Sequence, residues 1–241
     1  MSSNDNIYDK IKEFLGTMTG NVAVMEHQID ADIQLEYNHL AEQEMDLSNP
    51  SEILQKKDTL NSPGYSIDYK KKYLVELAKI GTVESHQILE NYITLPDKGL
   101  KDWAMLAFQE NKMLLESSLL DENQILISTG LGGKGMKLRY FTVLQTATGR
   151  VFSNYEKKLI KSEMQFSLKS NHGELESIHF NMELCRILSV IPLQIPIQQL
   201  FDKVIEECNL YGNFIDHECL ITNVKILSGK QIRNLMTRKE G

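Results

Sequence analysis

Residues 138–146 read LRYFTVLQT, and this stretch decides the fold class of the chain. β-branched and aromatic residues dominate it, and Leu138, Tyr140 and Leu144 fall on alternate positions. A period of two residues is typical of a β-strand, because successive side chains of a strand point to opposite faces. The stretch therefore predicts a strand, and it marks the change from a helical N-terminal part to a C-terminal part that contains a sheet.

The rest of the C-terminal sequence alternates between strand and helix patterns. Ser153 and Glu156 have capping-box spacing at the start of one helix, and Pro196 opens another that ends near Gly212. Further strands are expected over residues 124–128, 178–184 (which 187–191 would continue) and 219–227, and a last short helix over 229–236. The order β-β-α-β-α-β-α predicts a small α+β domain with a mixed or antiparallel sheet over residues 121–241.

Before residue 120 the apolar residues recur at spacings of three and four, which indicates helices. The expected helices are a first one carrying Ile7, Ile11, Phe14 and Leu15, a second over about 22–45, a short one starting at Asn49-Pro50, and four more over 73–80, 83–93, 100–108 and 113–120. The sequence thus predicts a helical domain over residues 1–120, with a helical extension at 1–60 and helix pairs at 65–120.

The helix pairs carry a resemblance to a known repeat. Residues 73–90 read YLVELAKIGTVESHQILE, and residues 100–107 read LKDWAMLA. The first string resembles the first helix, glycine turn and second helix of a HEAT-type repeat, and the second string resembles the opening helix of the next unit. The resemblance covers about residues 68–118. It implies stacked helix pairs with a protein-binding surface and no catalytic residues. No third repeat follows, although such arrays need at least three units, so the N-terminal helices would supply the missing stack.

Charge is distributed unevenly along the 241 residues, whose formal net charge is −7. Residues 1–120 contain 20 Asp and Glu against 11 Lys and Arg, a net −9, whereas residues 121–241 contain 13 against 15, a net +2. The acidic N-terminal half repels the phosphate backbone of nucleic acids, which argues against general binding of DNA or RNA. The 3 Cys are too few for a disulfide framework. Without a signal peptide or a long apolar run, the expectation is a cytoplasmic protein that does not contact a membrane.

The string GLGGKG at residues 130–135 matches the G-x-G-x-x-G pattern. In a dinucleotide-binding fold such glycines lead into a helix, but here a strand follows, so the geometry is wrong. A P-loop fails as well, because Met136 rather than a lysine follows Gly135. The simpler interpretation is a glycine hairpin.

The alternative for this loop is a binding site for a small anion or a nucleotide. Exposed backbone N–H groups flanked by basic side chains can hold an anion. The candidate ligand-binding residues are Gly130, Gly132, Gly133, Lys134, Gly135, Lys137 and Arg139. A second basic set, Lys157, Lys158 and Lys161, falls on the helix that Ser153 caps, and it would join the loop lysines in one positive patch.

Other clusters of reactive residue types do not assemble a catalytic or metal site. Glu36 and His39 form a single Glu-x-x-His pair, whereas carboxylate-bridged metal bundles need two such pairs. Asp216, His217 and Cys219 lie close together but lack zinc-ligand spacing, and a Cys/His nucleophile there would lack an orienting third group. We therefore predict no catalytic residue, no metal site and no cofactor.

These observations favour a non-catalytic protein-interaction or adaptor protein with a protein partner. It would use a helical docking surface together with the α+β domain. One alternative is a regulatory protein that binds a small anionic ligand or a nucleotide through Gly130–Gly135. A further alternative, less favoured by the charge, is an RNA- or ribosome-associated factor that uses the basic patch.

Overall fold

The computed structural model describes residues 21–121 and 124–237, which divide into two compact units. Residues 21–23, 29–121 and 124–127 form the helical unit, and residues 24–28 and 128–237 form the sheet unit. The described residues contain eight α-helices and seven strands, which confirms the α+β class. No helix in the described part of the chain is long and apolar enough to cross a membrane.

The helical unit consists of five helices and a two-stranded sheet. The elements are β1 (Asn21–Val24), α1 (Ala31–Ala41), α2 (Pro50–Gln55), a 3-10 turn (Lys57–Thr59), α3 (Ile67–Ile80), α4 (Val83–Thr94), α5 (Lys101–Leu120) and β2 (Gln124–Ile127), which pairs with β1. Helix α5 packs against both α3 and α4. Trp103 and Ala104 of α5 are buried, as are Tyr73, Leu74 and Leu77 of α3.

Local capping signals set the ends of α3 and α4. The Ser66 hydroxyl accepts a hydrogen bond from the N–H of Tyr69 at the start of α3. Gly81 ends this helix at φ +61°, a backbone conformation that glycine adopts without a Cβ penalty. Thr82 and Ser85 then form a reciprocal capping box that starts α4. The predicted end of α3 at Gly81 and the predicted start of α4 at Val83 are confirmed, whereas α3 begins at Ile67, earlier than the expected start at residue 73.

Three expectations for the helical part need correction or lie outside the description. The helix predicted over 22–45 is wrong at its start, because residues 21–24 form β1 and α1 begins only at Ala31, capped by the Asp30 side chain. The separate helices predicted over 100–108 and 113–120 are the single helix α5. The first predicted helix, which carries Ile7 and Leu15, lies outside the described residues.

The sheet unit is built on an antiparallel sheet with the order β3-β4-β6-β5, in which β7 also pairs with β4. Its elements are β3 (Gly133–Lys134), β4 (Lys137–Gln145), α6 (Asn154–Ser170), β5 (Glu174–Asn181), β6 (Leu184–Pro192), α7 (Ile197–Asn209), β7 (Leu220–Thr222) and α8 (Gly229–Thr237). The antiparallel alternative of the predicted topology is therefore the observed one.

Strand β4 is covered on both faces. On one face Leu144 packs in a core with residues of α6 and α7, among them Ile160 and Phe201. On the other face Phe141 packs in a second core that includes Ile232 of α8. Both faces of β4 therefore contribute apolar side chains to a core, which explains why apolar residues occur at both parities of LRYFTVLQT.

Two strand predictions are corrected in this unit. The segment 178–191 is not one continuous strand but the hairpin β5–β6, which turns at Met182, a residue with φ +54°. The strand predicted over 219–227 is limited to Leu220–Thr222. The capping box of Ser153 and Glu156 and the helix after Pro196 are confirmed.

Candidate functional site

The glycine-rich segment forms a tight hairpin against the sheet. Strand β3 turns at Gly135 and Met136 into β4, and Gly135 has φ +58°. Just before β3, Leu131 is buried, and its N–H donates to the carbonyl oxygen of Asn223 at 3.0 Å. The segment is therefore anchored to the sheet unit on both sides of Gly132.

Close backbone packing accounts for three of the four glycines. A Cβ at Gly130 would overlap the carbonyl oxygen of Val224, and one at Gly133 would overlap that of Lys137. A Cβ at Gly132, whose φ is +65°, would lie 2.6 Å from the carbonyl oxygens of Glu26 and His27. Gly135 differs, because a Cβ there meets nothing within 4 Å. Close backbone approach therefore explains Gly130, Gly132 and Gly133, and the positive φ of the hairpin turn explains Gly135.

The N–H groups that an anion would need already have acceptors within the chain. The N–H of Gly132 donates to the carbonyl oxygen of Thr129 at 3.0 Å. The N–H of Gly135 donates to Oε1 of Glu26 at 2.9 Å. A carboxylate of the same chain thus occupies the position of an external anion at the tip of the loop.

The two lysines of the loop are paired with one glutamate of β5. Lys134 Nζ lies 2.7 Å and Lys137 Nζ 3.0 Å from the carboxylate oxygens of Glu174. Hydrogen bonds from Lys134 and then from Lys137 lower the pKa of Glu174 to about 2. The hydrogen bond with Glu174 also raises the pKa of Lys134.

Arg139 completes this charge cluster. Its Nε and Nη2 donate to the two carboxylate oxygens of Glu176 at 2.6 and 2.8 Å, a bidentate pair. Its Nη1 donates to the carbonyl oxygen of Leu131 at 2.7 Å. The hydrogen bonds with Glu176 raise the pKa of Arg139. Three cations therefore face three carboxylates, those of Glu26, Glu174 and Glu176; we call these six side chains the loop charge cluster.

The second basic set lies on the other side of the sheet. Arg139 has the same strand parity as Phe141 and shares its face, whereas α6 packs on the opposite face through Ile160. The sequence predicts that Lys157, Lys158 and Lys161 join the loop lysines in one positive patch. In the structure the two sets lie on opposite faces of the sheet and do not form one patch.

Two aromatic residues that sequence reasoning missed accompany the lysines of α6. Tyr155 is 60% and Phe166 69% exposed, and both lie on the outward side of the helix. Lys158, Lys161 and Lys169 are exposed on this same side. The spacing of three residues between positions 155, 158 and 161, and again between 166 and 169, could have revealed the surface. We call these five residues the α6 outer face.

A second missed surface lies at the start of α3. Tyr65, Ile67 and Tyr69 are exposed within five consecutive residues, and we call them the tyrosine patch. The rings of Tyr65 and Tyr69 have centroids 4.8 Å apart, and Tyr69 in turn stacks on Tyr73 at 6.5 Å. Tyr73 is buried, and its hydroxyl donates to the carbonyl oxygen of Ile53 at 2.7 Å. The patch is therefore attached to the core of the helical unit.

The other candidate residues are placed apart or in the core. Glu36 is paired with Lys71 at 2.7 Å. His217 is exposed and Cys219 is buried, and both precede β7, so the strand geometry expected for a Cys/His pair is absent there. A pocket of about 240 Å³ beside β7 is lined in part by Asp216, Glu218 and Cys219. Within residues 21–121 and 124–237 no group of three or more His, Cys, Asp or Glu side chains could hold a metal ion.

Comparisons with known proteins give little guidance. No family model matches the chain, and no curated protein matches it. A solved structure, that of a putative transposase from Deinococcus radiodurans R1, aligns with 43% of this chain and 89% of its own at a TM-score of 0.34 and 13% identity. A similarity this low carries no argument about the fold or the function of this chain.

Proposed function

We propose that this chain is a non-catalytic protein-interaction protein whose helical unit presents the tyrosine patch to a protein partner. The exposure of Tyr65, Ile67 and Tyr69 within five consecutive residues, with the rings of the two tyrosines in contact, carries this proposal. Single exposed apolar residues are common on protein surfaces, whereas a contiguous group of this kind is typical of an interaction site. The helix-pair resemblance of residues 68–118 agrees with such a role.

The chemistry of the patch suits a protein interface. Tyrosine contributes a large apolar ring and a polar hydroxyl, and it is enriched at the centre of protein interfaces. The ring stack from buried Tyr73 to exposed Tyr65 restrains the side chains before a partner arrives. Restrained side chains lose less conformational entropy on binding, so the patch is preorganised.

Comparative affinity enrichment tests this function. Wild-type protein is compared with the double variant Tyr65→Ser/Tyr69→Ser and with Val83→Ser, a matched control that removes an exposed apolar side chain elsewhere in the helical unit. We expect a discrete set of proteins to be recovered with the wild type and with Val83→Ser and to be lost with the double variant. Recovery of the same set with all three proteins would contradict the proposal.

A second candidate function, association with RNA or with the ribosome, is favoured by the α6 outer face. Lysines attract a phosphate backbone, and exposed aromatic rings stack on unpaired bases. In the described chain no carboxylate lies within 4 Å of Lys158 or Lys161, in contrast to the paired lysines of the loop.

Fluorescence anisotropy with a single-stranded RNA oligonucleotide at several salt concentrations distinguishes this candidate. We expect binding that weakens with salt and is lost in Lys158→Glu/Lys161→Glu. The control Lys98→Glu changes an exposed lysine of the helical unit and should retain binding. An RNA affinity that is unchanged in both Lys158→Glu/Lys161→Glu and Phe166→Ser would exclude the α6 outer face as the RNA site.

The loop at Gly130–Gly135 does not contribute to either candidate. Its N–H groups and its three cations contact carboxylates and carbonyl oxygens of the same chain. An external anion would have to displace those partners, so the observed geometry supports the structural interpretation of the loop.

A further inference from the structure

We propose that the sheet unit binds a second copy of this chain along the free edge of strand β5. In this dimer the two β5 strands pair antiparallel about a two-fold axis, so that two sheets become one. The proposal rests on an edge strand that the described chain leaves unpaired and on side chains that suit pairing with themselves. It does not depend on the proposed function, since the tyrosine patch belongs to the other unit.

The two edges of the sheet differ. The outer edge of β4 is covered along most of its length, because β3 and β7 pair with it and Thr146 forms a bridge with Ile215. The N–H of Asp216 also donates to the carbonyl oxygen of Gln145 at the end of β4. Strand β5, in contrast, pairs with β6 alone, and its outward N–H and C=O groups have no hydrogen-bond partner in residues 21–121 and 124–237. One edge is therefore closed and the other is open.

Strand β5 has few of the features that prevent pairing at an edge. It is eight residues long, and its sequence ELESIHFN contains no Pro, Gly or Lys. Natural proteins shorten their edge strands, twist them with bulges or protect them with lysine and proline, because unpaired N–H and C=O groups invite another strand. The irregularity in β5 is a bulge between Leu175 and Ser177, which leaves residues 177–181 regular.

The acidic side chains of β5 do not keep a second copy away. Glu174 and Glu176 are the two acidic residues of the strand, and both have cation partners within the loop charge cluster. Like charges on paired strands are destabilising when they are free. Because these carboxylates are neutralised within their own chain, the repulsion between two β5 strands is reduced.

The apolar side chains of β5 are only partly covered by the core of the sheet unit. Leu175, Ile178 and Phe180 pack against the core that α6 and α7 form with the sheet, yet each of them is half-buried. The bulge explains why Leu175 shares a face with Ile178 although three positions separate them. A second β5 strand at this edge would remove more of their apolar surface from water, which favours association.

The shared face of these side chains determines the register of the dimer. Opposite residues of an antiparallel pair lie on the same face, so apolar positions should meet apolar positions. All three apolar side chains meet this condition when Ile178 lies opposite Ile178 of the second copy and Leu175 lies opposite Phe180 of the second copy. Glu176 is then the extra residue of the bulge, as it is in the pairing with β6. In this register the two strands pair over their whole length.

Disulfide crosslinking of the full-length protein tests the dimer and its register together. The three native cysteines are buried, so an introduced cysteine is the reactive one. In the proposed dimer the two Cα atoms of residue 178 lie about 5 Å apart, a separation that a disulfide spans. Those of residue 181 lie about 20 Å apart, since a strand rises about 3.3 Å per residue. We expect Ile178→Cys to form a covalent dimer on oxidation and the exposed control Asn181→Cys to remain monomeric on a non-reducing gel.

Sedimentation equilibrium measures the dimer without a crosslink. The dimer fraction of the wild type should rise with protein concentration. Ile178→Glu places two carboxylates opposite each other and should raise the dimer Kd about tenfold or more, whereas Val151→Glu, at an exposed apolar position of the same unit, should leave it unchanged. If Ile178→Glu does not fold, the crosslinking of Ile178→Cys, a milder substitution, decides. A wild type that remains monomeric at every concentration would overturn the proposal and leave the edge to a strand of another protein, and equal crosslinking from positions 178 and 181 would also overturn it.

Discussion

The backbone N–H of Gly135 donates a hydrogen bond of 2.9 Å to Oε1 of Glu26, a residue 109 positions earlier in the chain. This contact places a carboxylate of the protein at the tip of a loop that has the composition of an anion cradle. Since residues 24–28 and the loop belong to the same compact unit, the glycines of the loop have a structural purpose.

Two glycines with positive φ should respond differently to substitution. Gly132→Ala places a Cβ 2.6 Å from two carbonyl oxygens, whereas Gly135→Ala places one in open space. We expect Gly135→Ala to cost about 1 kcal/mol of unfolding free energy, because only the left-handed conformation is penalised. Gly132→Ala should cost about 3 kcal/mol or more, because backbone must also move. Urea unfolding of both variants measures the difference, and equal costs would show that the loop is not packed as described.

The lysines of the loop should control the titration of Glu174. Its pKa is lowered to about 2 by hydrogen bonds from Lys134 and Lys137. In Lys134→Gln/Lys137→Gln the carboxylate loses both cations, so we expect its pKa to rise toward the ordinary value of about 4.3. Carboxyl NMR titration measures this pKa directly. An unchanged pKa would mean that the pairs do not persist in solution.

Glu156 should make the free energy of unfolding depend on pH in the acidic range. A hydrogen bond with Arg150 is the main cause that lowers its pKa to about 2, and hydrogen bonds with Ser153 add to it. Because the folded pKa is depressed, the stabilisation is present above the unfolded pKa of about 4.3 and is lost as pH falls toward 2. Glu156→Gln keeps the capping geometry but removes the charge.

We expect Glu156→Gln to reduce the free energy of unfolding at neutral pH by about 1–2 kcal/mol, since Arg150 is partly exposed. It should also flatten the loss of stability between pH 5 and pH 2, roughly the range in which a depressed carboxyl titrates. Glu163→Gln on the same helix is the matched control. Denaturant unfolding of the wild type and both variants at several pH values measures these effects. Identical pH profiles of stability for the wild type and Glu156→Gln would show that Glu156 does not cause the loss of stability in acid.

Asn111 should be the most sensitive polar residue of the helical unit. It is fully buried, and its Nδ2 donates to the carbonyl oxygens of Leu77 and Ala78 at 2.9 and 3.2 Å and to Ser85 Oγ at 2.8 Å. It thereby joins the end of α3 to the start of α4. Asn111→Ala should cost about 2–3 kcal/mol, because buried acceptors lose their donor.

Hydrogen exchange provides the measurement for Asn111. Amides of α3 and α4 should exchange faster in Asn111→Ala, whereas the exposed control Asn91→Ala should leave them unchanged. Equal protection in the two variants would mean that Asn111 does not hold these helices together.

Elements with strong local signals could be predicted from the sequence. Ser153 and Glu156 sit three residues apart and form the capping box that starts α6. Gly81 stops α3 because a left-handed residue is needed there. In both cases the deciding interaction lies within one turn of helix, so a short stretch of sequence contains it.

Elements that depend on distant partners could not be predicted. The hairpin at Met182 lacks a glycine or an Asn-Gly pair, although Met182 has φ +54°. The apolar patterns over 100–108 and 113–120 predict two helices, but in the single helix α5 Tyr37 donates to Glu110 and Asn111 is satisfied by other helices. These contacts join residues 33–73 positions apart, so they cannot be predicted from a short-range sequence pattern.

The same limit applies to the candidate sites. The sequence indicates Lys134 and Arg139 as candidate anion ligands, because their partners, Glu174 and Glu176, lie 37–40 residues away on β5. The tyrosine patch was missed because exposure is a property of the fold. Tyr69 and Tyr73 lie four residues apart on one face of α3, yet Tyr69 is exposed and Tyr73 is buried, a difference that their spacing does not contain.

Site-specific photo-crosslinking at Ile67 tests the proposed interaction most directly. A photoreactive amino acid is placed at position 67 in the tyrosine patch and, as a control, at position 83, where Val83 is likewise apolar and exposed. The account predicts a discrete crosslinked partner from position 67 that disappears when Tyr65 and Tyr69 are changed to Ser, and no such product from position 83. The same product from both positions, or one that persists without the two tyrosines, would contradict it.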